Sequence, residues 1–109
     1  MQFRILKSFA KDLKKVKDQK LLDKVKSTTE EIKQAVSTIE NDDEIPFKVK
    51  DTKKITGSEN AYRIKVDDSY RIGAEVDIEK DEQTTEEKKI FSLKRFLHRK
   101  DIYNKFPVN

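Results

Sequence analysis

The period of the apolar residues changes once along this chain, and that change decides the fold class. Leu22, Val25, Thr29, Ile32, Val36 and Ile39 recur at alternating spacings of three and four, which places them on one face of a helix turned to a core. The spacing predicts a helix from about Gln19 to Glu40. Pro46 stops it from continuing, and beyond it the period falls to two. Tyr62, Ile64 and Val66 alternate with Arg63 and Lys65, and then Tyr70, Ile72, Ala74, Val76 and Ile78 alternate with Arg71, Gly73, Glu75 and Asp77. These are two strands, Ala61 to Val66 and Tyr70 to Ile78, joined by a tight turn at Asp67, Asp68 and Ser69.

The remaining elements attach to that frame. Gln2 to Leu6 reads as a first strand, and Ser8 as the N-cap of a helix through Val16 whose stripe is Phe9, Leu13 and Val16. The two helices form a hairpin with an apolar seam, to be buried against a sheet. Asn41 to Glu44 is an acidic turn. Phe47 to Asn60 reads as a charged connection anchored by Phe47, Val49 and Ile55, with a turn at Gly57. After the charged loop "EKDEQTTEEKK", Ile90 to Leu97 is a further strand whose two faces cannot be assigned from "IFSLKRFL". The chain then makes a short basic helical turn in "HRKDIYNKFPVN" that Pro107 terminates. No repeat or linker divides residues 1–109, so a single domain is expected.

Composition excludes several classes of function. With 42% charged and 34% hydrophobic residues, the core must be thin and the surface very polar. There is no cysteine, which removes disulfides and thiolate metal sites and is compatible with a reducing compartment. The apolar run near Met1 is too short for a signal peptide and no segment is long enough to span a bilayer, so a cytoplasmic location without membrane contact is expected. The formal net charge of +4 suits a polyanion or an acidic protein partner.

The search for chemistry narrows to cations. A lone histidine, His98, cannot organise a metal cluster, and two glycines build no phosphate loop. No cofactor is implied. Arg63, Lys65, Arg71, Arg95, His98, Arg99 and Tyr103 remain, all in the second half of the chain. They are either a solvated sheet face or an anion site.

Three stretches, "NAYRIKV", "YRIGAEV" and "RFLHRKDIY", occur in that order, and with the preceding strand and helices they make the chain resemble the RelE/ParE superfamily of toxins from bacterial type II toxin-antitoxin systems. The resemblance covers the whole chain. It implies an α+β fold, an N-terminal helical hairpin packed on a twisted antiparallel β-sheet with a short C-terminal helical turn. It also implies a cognate antitoxin, acidic and with a DNA-binding end, as partner.

The superfamily divides into ribosome-dependent mRNA endoribonucleases and DNA gyrase inhibitors, and a catalytically silent antitoxin-binding member is a third alternative. The nuclease pattern falls on Arg63, Lys65, Arg71, Arg99 and Tyr103, with Leu97 standing where that branch usually has glycine. The resemblance therefore favours the endoribonuclease, with ribosome and mRNA as partners. RNA can be cut by its own 2′-OH, which needs a base, charge stabilisation at phosphorus and an acid for the leaving oxygen. Lys65 is the expected base, because Arg63 and Arg71 disfavour its charged form while arginine stays protonated. Arg71 is expected to clamp the phosphate, and Arg99 to stabilise charge. His98 competes with Arg99 for the acid role, and Tyr103 is expected to stack on a base. Arg63, Arg95, Lys48, Lys50, Lys53, Lys54 and the lysines of the first two helices are expected to hold RNA through phosphates.

Overall fold

The computed structural model of the protein describes residues 1–39, 49 and 51–107. Its elements run β1 (Gln2–Ile5), α1 (Lys7–Lys14), α2 (Gln19–Ser37), β2 (Lys53–Lys54), β3 (Ala61–Lys65), β4 (Tyr70–Lys80), β5 (Glu87–His98) and α3 (Arg99–Lys105). Among the described residues this is an α+β arrangement of three helices and one five-stranded sheet, in the order β1-β5-β4-β3-β2. None of these helices is long and apolar enough to cross a membrane.

The sheet is mixed, where an antiparallel one was expected. β1 lies parallel to β5, with Gln2 opposite Ile90 and Ile5 opposite Leu93, whereas β2, β3, β4 and β5 pair antiparallel in succession. β1 and β5 are not consecutive: the chain between them runs through both helices and β2, β3 and β4, and a connection that long lets neighbouring strands run the same way. The pairing of β1 also removes the expected cap. The Leu6 N–H still bonds to Leu93 O at 3.0 Å, so Leu6 holds the cap position of α1, and Ser8 Oγ donates to Lys94 O at 2.5 Å instead.

Asp18 starts α2 by accepting the N–H groups of Lys20 and Leu21, a side-chain cap of the kind that stabilises an exposed helix end. The buried stripe is Leu21, Val25, Thr28, Ile32 and Val36, so Leu22 and Thr29 of the expected stripe sit half-buried at its edge. The helix stops at Ser37, short of Glu40, as Ser37 and Thr38 turn their hydroxyls back onto the carbonyls of Gln34 and Ala35. Both helices lie on one face of the sheet, α1 over β5 and α2 over β1. There Phe9, Val25, Ile32 and Val36 meet Tyr62, Ile64, Ile72, Phe91, Leu93 and Phe96 in one core.

A β-bulge organises β5. Gly73 is opposite Arg95 but Ala74 is opposite Leu93, which leaves Lys94 as the extra residue. An extra residue reverses the in-and-out alternation. Phe91 and Leu93 before the bulge and Phe96 after it therefore all enter the helix-side core.

The opposite face of the sheet carries a second, smaller core of Ile55, Ala61, Leu97, Ile102 and Phe106. It forms because α3 folds back onto the sheet. Gly73 permits this approach, since a Cβ there would lie 2.8 Å from two carbons of the Phe106 ring. The connection expected from Phe47 to Asn60 contains the edge strand β2, which pairs Lys53 with Arg63 and Lys54 with Tyr62, and Gly57 with φ +87° turns the chain back. Val49 and Ile55 are buried as expected. Phe47, the acidic turn from Asn41 to Glu44, and the cations Lys48 and Lys50 lie outside the described residues.

Candidate functional site

The α3 side of the sheet is divided by charge. At its open end, Arg4 meets Asp77 at 3.1 Å and Glu79 at 2.8 Å, and Lys94 meets Asp77 at 2.9 Å and Glu75 at 3.7 Å. Cations and carboxylates offset one another there. Burial alone would raise the Asp77 carboxyl, but hydrogen bonds and charge from Lys94 and Arg4 hold it below the usual carboxylate range.

At the other end of the same face the cations outnumber the acids. Lys53 is opposite Arg63, and Lys65 is opposite Arg71. The Val66 N–H bonds to Tyr70 O at 3.1 Å, which makes the Lys65 and Arg71 pair a non-hydrogen-bonded one, where opposing side chains stand closest. Like charges so placed repel unless something draws them apart or an anion bridges them. Both have been drawn aside. Lys65 Nζ lies 3.3 Å from Asp68, whose side chain is 95% exposed. Arg71 Nη1 donates to Asp67 O at 2.5 Å and to Tyr70 O at 3.0 Å, so one nitrogen anchors the guanidinium.

Arg63 and Tyr103 are brought together across the α3 interface. The guanidinium carbon of Arg63 stands 5.7 Å from the centre of the Tyr103 ring, a cation–π distance. Tyr103 is 59% exposed, and its ring forms one wall of a cleft of about 400 Å³ that also includes Ile55, Gly57, Ser58 and Phe106. Arg99 opens α3. Its N–H bonds to Ser69 O at 2.7 Å, which ties the helix to the turn beyond Lys65, and its side chain is exposed. Lys53 and Lys54 are exposed on the edge strand.

Two expected members are elsewhere. His98 faces the helix side: its ring packs edge-on to Tyr70 at 5.4 Å, and Tyr70 stacks on Phe96 of that core at 5.2 Å. Its Nδ1 accepts the Lys100 N–H at 3.1 Å as the cap of α3. Arg95 is committed to Asp12 of α1, with Nε at 2.7 Å and Nη2 at 3.1 Å. That hydrogen bond holds the guanidinium above its ordinary range. Asp12 is buried and also accepts the Phe96 N–H at 2.9 Å, just past the bulge. His98, Arg95 and Asp12 together line a polar pocket of about 440 Å³ beside the turn between α1 and α2.

Sequence reasoning passed over Asp12 and read Asp67 and Asp68 as turn residues, without their bonds to Arg71 and Lys65. One signal was present for Asp12, a carboxylate three residues after Phe9 on an apolar helix stripe, where an acid is rarely buried without a partner.

The strand pairs thus align four cations, Lys53, Arg63, Lys65 and Arg71, beside the exposed Tyr103. Over 107 residues, 98% of this chain and the full length of the relative, the protein is 36% identical to Toxin RelE3 of Methanocaldococcus jannaschii. The chain belongs to the RelE family of toxins. No family model and no solved structure matches it.

Proposed function

We propose that this RelE-family toxin is an endoribonuclease that cuts mRNA in the ribosomal A site through attack of the message's own 2′-OH. The observation that carries the reading is the register of the strands. It sets Lys53 against Arg63 and Lys65 against Arg71 on one face, with Tyr103 over Arg63. A phosphate entering between Lys65 and Arg71 relieves their repulsion and displaces the exposed Asp68 from Lys65.

In this mechanism Lys65 first releases a proton to solvent as Asp68 is displaced, and the resulting amine takes the 2′-OH proton on Nζ. Arg71, anchored through Nη1, presents its other nitrogens to the phosphate oxygens. Arg99 stabilises the departing 5′-oxygen, which solvent protonates. His98 has no part, because it faces the other side of the sheet. Tyr103 and its cleft hold a neighbouring base, and the Arg63 contact fixes the ring for stacking. Lys53 and Lys54 bind phosphates of the ribosomal RNA without regard to sequence, whereas Arg95 is spent on Asp12.

The proposed cognate antitoxin meets a different surface. A groove of about 720 Å³ between α1, α2 and β1 is lined by Phe3, Ile5, Phe9, Leu13 and Val25, with Lys26 and Lys33 flanking the single acid Glu30 at its rim. An acidic amphipathic segment suits both its floor and its rim.

The test is cleavage of ribosomes programmed with a defined mRNA. Wild-type protein should cut within the A-site codon and leave 2′,3′-cyclic phosphate ends, and Arg71→Ala should abolish the cut. Intact message together with blocked gyrase supercoiling would move the protein to the gyrase-inhibiting branch. Intact message and unaffected gyrase would leave an antitoxin-binding protein without either activity.

A further inference from the structure

Three consecutive residues between β3 and β4 hold three of the proposed site's cations. Asp67 O accepts Arg71 Nη1 at 2.5 Å, Asp68 meets Lys65 at 3.3 Å, and Ser69 O accepts the backbone N–H of Arg99 at 2.7 Å. Such a turn is useful only if its carbonyls keep their direction. The Asp67 carboxylate supplies that constraint: Oδ1 accepts the N–H groups of both Ser69, at 2.8 Å, and Tyr70, at 2.7 Å. A side chain that bonds to its own backbone two and three residues on closes a small ring and fixes the intervening peptide planes. The planes fixed here belong to the stretch from Asp67 to Tyr70, whose carbonyls receive Arg71 and Arg99.

We propose that Asp67 is a positioning residue for RNA cleavage, acting through the turn it closes to hold Arg71 and the start of α3 in place. This rests on the ribonuclease reading above. Asp67 touches neither message nor phosphate. Its contribution is that Arg71 and Arg99 meet the phosphate already oriented, and a displacement of the order of 1 Å at such groups lowers a rate about 100-fold.

Two substitutions separate position from charge. Asp67→Asn loses the charge but keeps an oxygen in the same place for the two N–H groups. Asp67→Glu keeps the charge but sets the oxygens one methylene farther out, where the ring cannot close. Single-turnover cleavage on programmed ribosomes should remain within about 3-fold of wild type for Asp67→Asn and fall roughly 10- to 100-fold for Asp67→Glu. Ribosome affinity should change less than 3-fold or so in both, because binding draws on phosphate contacts made elsewhere. Melting temperatures measured alongside show whether both variants are folded.

The reverse order, with Asp67→Glu active and Asp67→Asn impaired, overturns the proposal in favour of a purely electrostatic role. Equal activity of both variants overturns it too, as does a loss confined to ribosome affinity. A wild-type protein that leaves the message intact removes the ribonuclease reading and this role with it. That result is distinct from the others, in which wild type cuts.

Discussion

Replacing Gly73 by alanine tests how α3 is held. The new Cβ would lie 2.8 Å from Cδ2 and Cγ of Phe106 and 3.0 Å from Cε2, against a comfortable carbon-to-carbon separation of about 3.5–4.0 Å. The ring must therefore retreat by roughly 0.5–1.2 Å, and it cannot do so alone, because Phe106 is 2% exposed and packed against Leu97 and Ile102. Overpacking of this kind costs about 1–3 kcal/mol. Complete release of α3 sets the ceiling: exposing Ile102 and Phe106 forfeits about 1.5–3 kcal/mol each, an upper figure because an unfolded chain is partly compact.

A shift is the cheaper route, so Gly73→Ala should lower the melting temperature by roughly 5–15 °C. Protection of the Phe106 amide, which donates to Ile102 O at 3.1 Å, should fall more than that of β4 or β5. Adding Phe106→Leu should then cost less in the alanine background than in wild type, because the clash has been removed. A Gly73→Ala protein that melts within about 1 °C of wild type with unchanged exchange in α3 would refute the packing argument.

Asp12→Ala strands Arg95 and the Phe96 N–H together. Since the Arg95 side chain is 26% exposed and can recover some water, the loss should be about 2–3 kcal/mol, below that of a fully buried pair, as read from chemical denaturation. The depressed Asp77 carboxyl contributes stability above its unfolded value of about 3.9 that is lost as pH falls through the folded value. Asp77→Asn should accordingly shrink the drop in melting temperature between pH 7 and pH 3, and an unchanged drop would refute this. Lys53→Ala with Lys54→Ala should weaken ribosome binding and reduce the slope of log affinity against log salt by roughly 1.5, with single-turnover cleavage of bound ribosomes little changed. An antitoxin segment seated in the groove between α1 and α2 should lose affinity about 10-fold or more on Leu13→Asp, measured by titration calorimetry with the partner peptide.

The central strands were legible because alternation is a local signal. Tyr62, Ile64 and Ile72 could be assigned to a core, and Arg63, Lys65 and Arg71 to the other side, from spacing alone. "IFSLKRFL" could not, since the bulge at Lys94 exchanges the two faces in mid-strand and nothing in the residue types marks it. The parallel pairing of β1 depends on contacts between residues 2–5 and 90–93, for which a single sequence holds no local cue. In α2, adjacent Leu21 and Leu22 offered two phases of one stripe, and packing selected the first.

The small core under α3 was hidden differently. Ile102 and Phe106 are too few to set up a period, though Gly73 within a strand was a hint that something approaches the backbone there. The cations were all visible. Which of them had internal partners was not, because Asp12 and Arg95 are distant in sequence and meet only once α1 lies across β5.

The pairing of β1 with β5 also orders events during synthesis. An amino-terminal strand that waits for residues 90–93 is left without a hydrogen-bonding neighbour while most of the chain is being made, and contacts so far apart in sequence are slow to close. At a synthesis rate of about 5–20 residues per second, the wait lasts seconds. During it the helices have only part of their sheet, and Arg99 and Tyr103, which follow β5, have not been made. A nascent chain therefore carries α1 and α2, with the faces that line their groove, before it carries Arg99 and Tyr103, and the two ends of the fold become available to partners at different times.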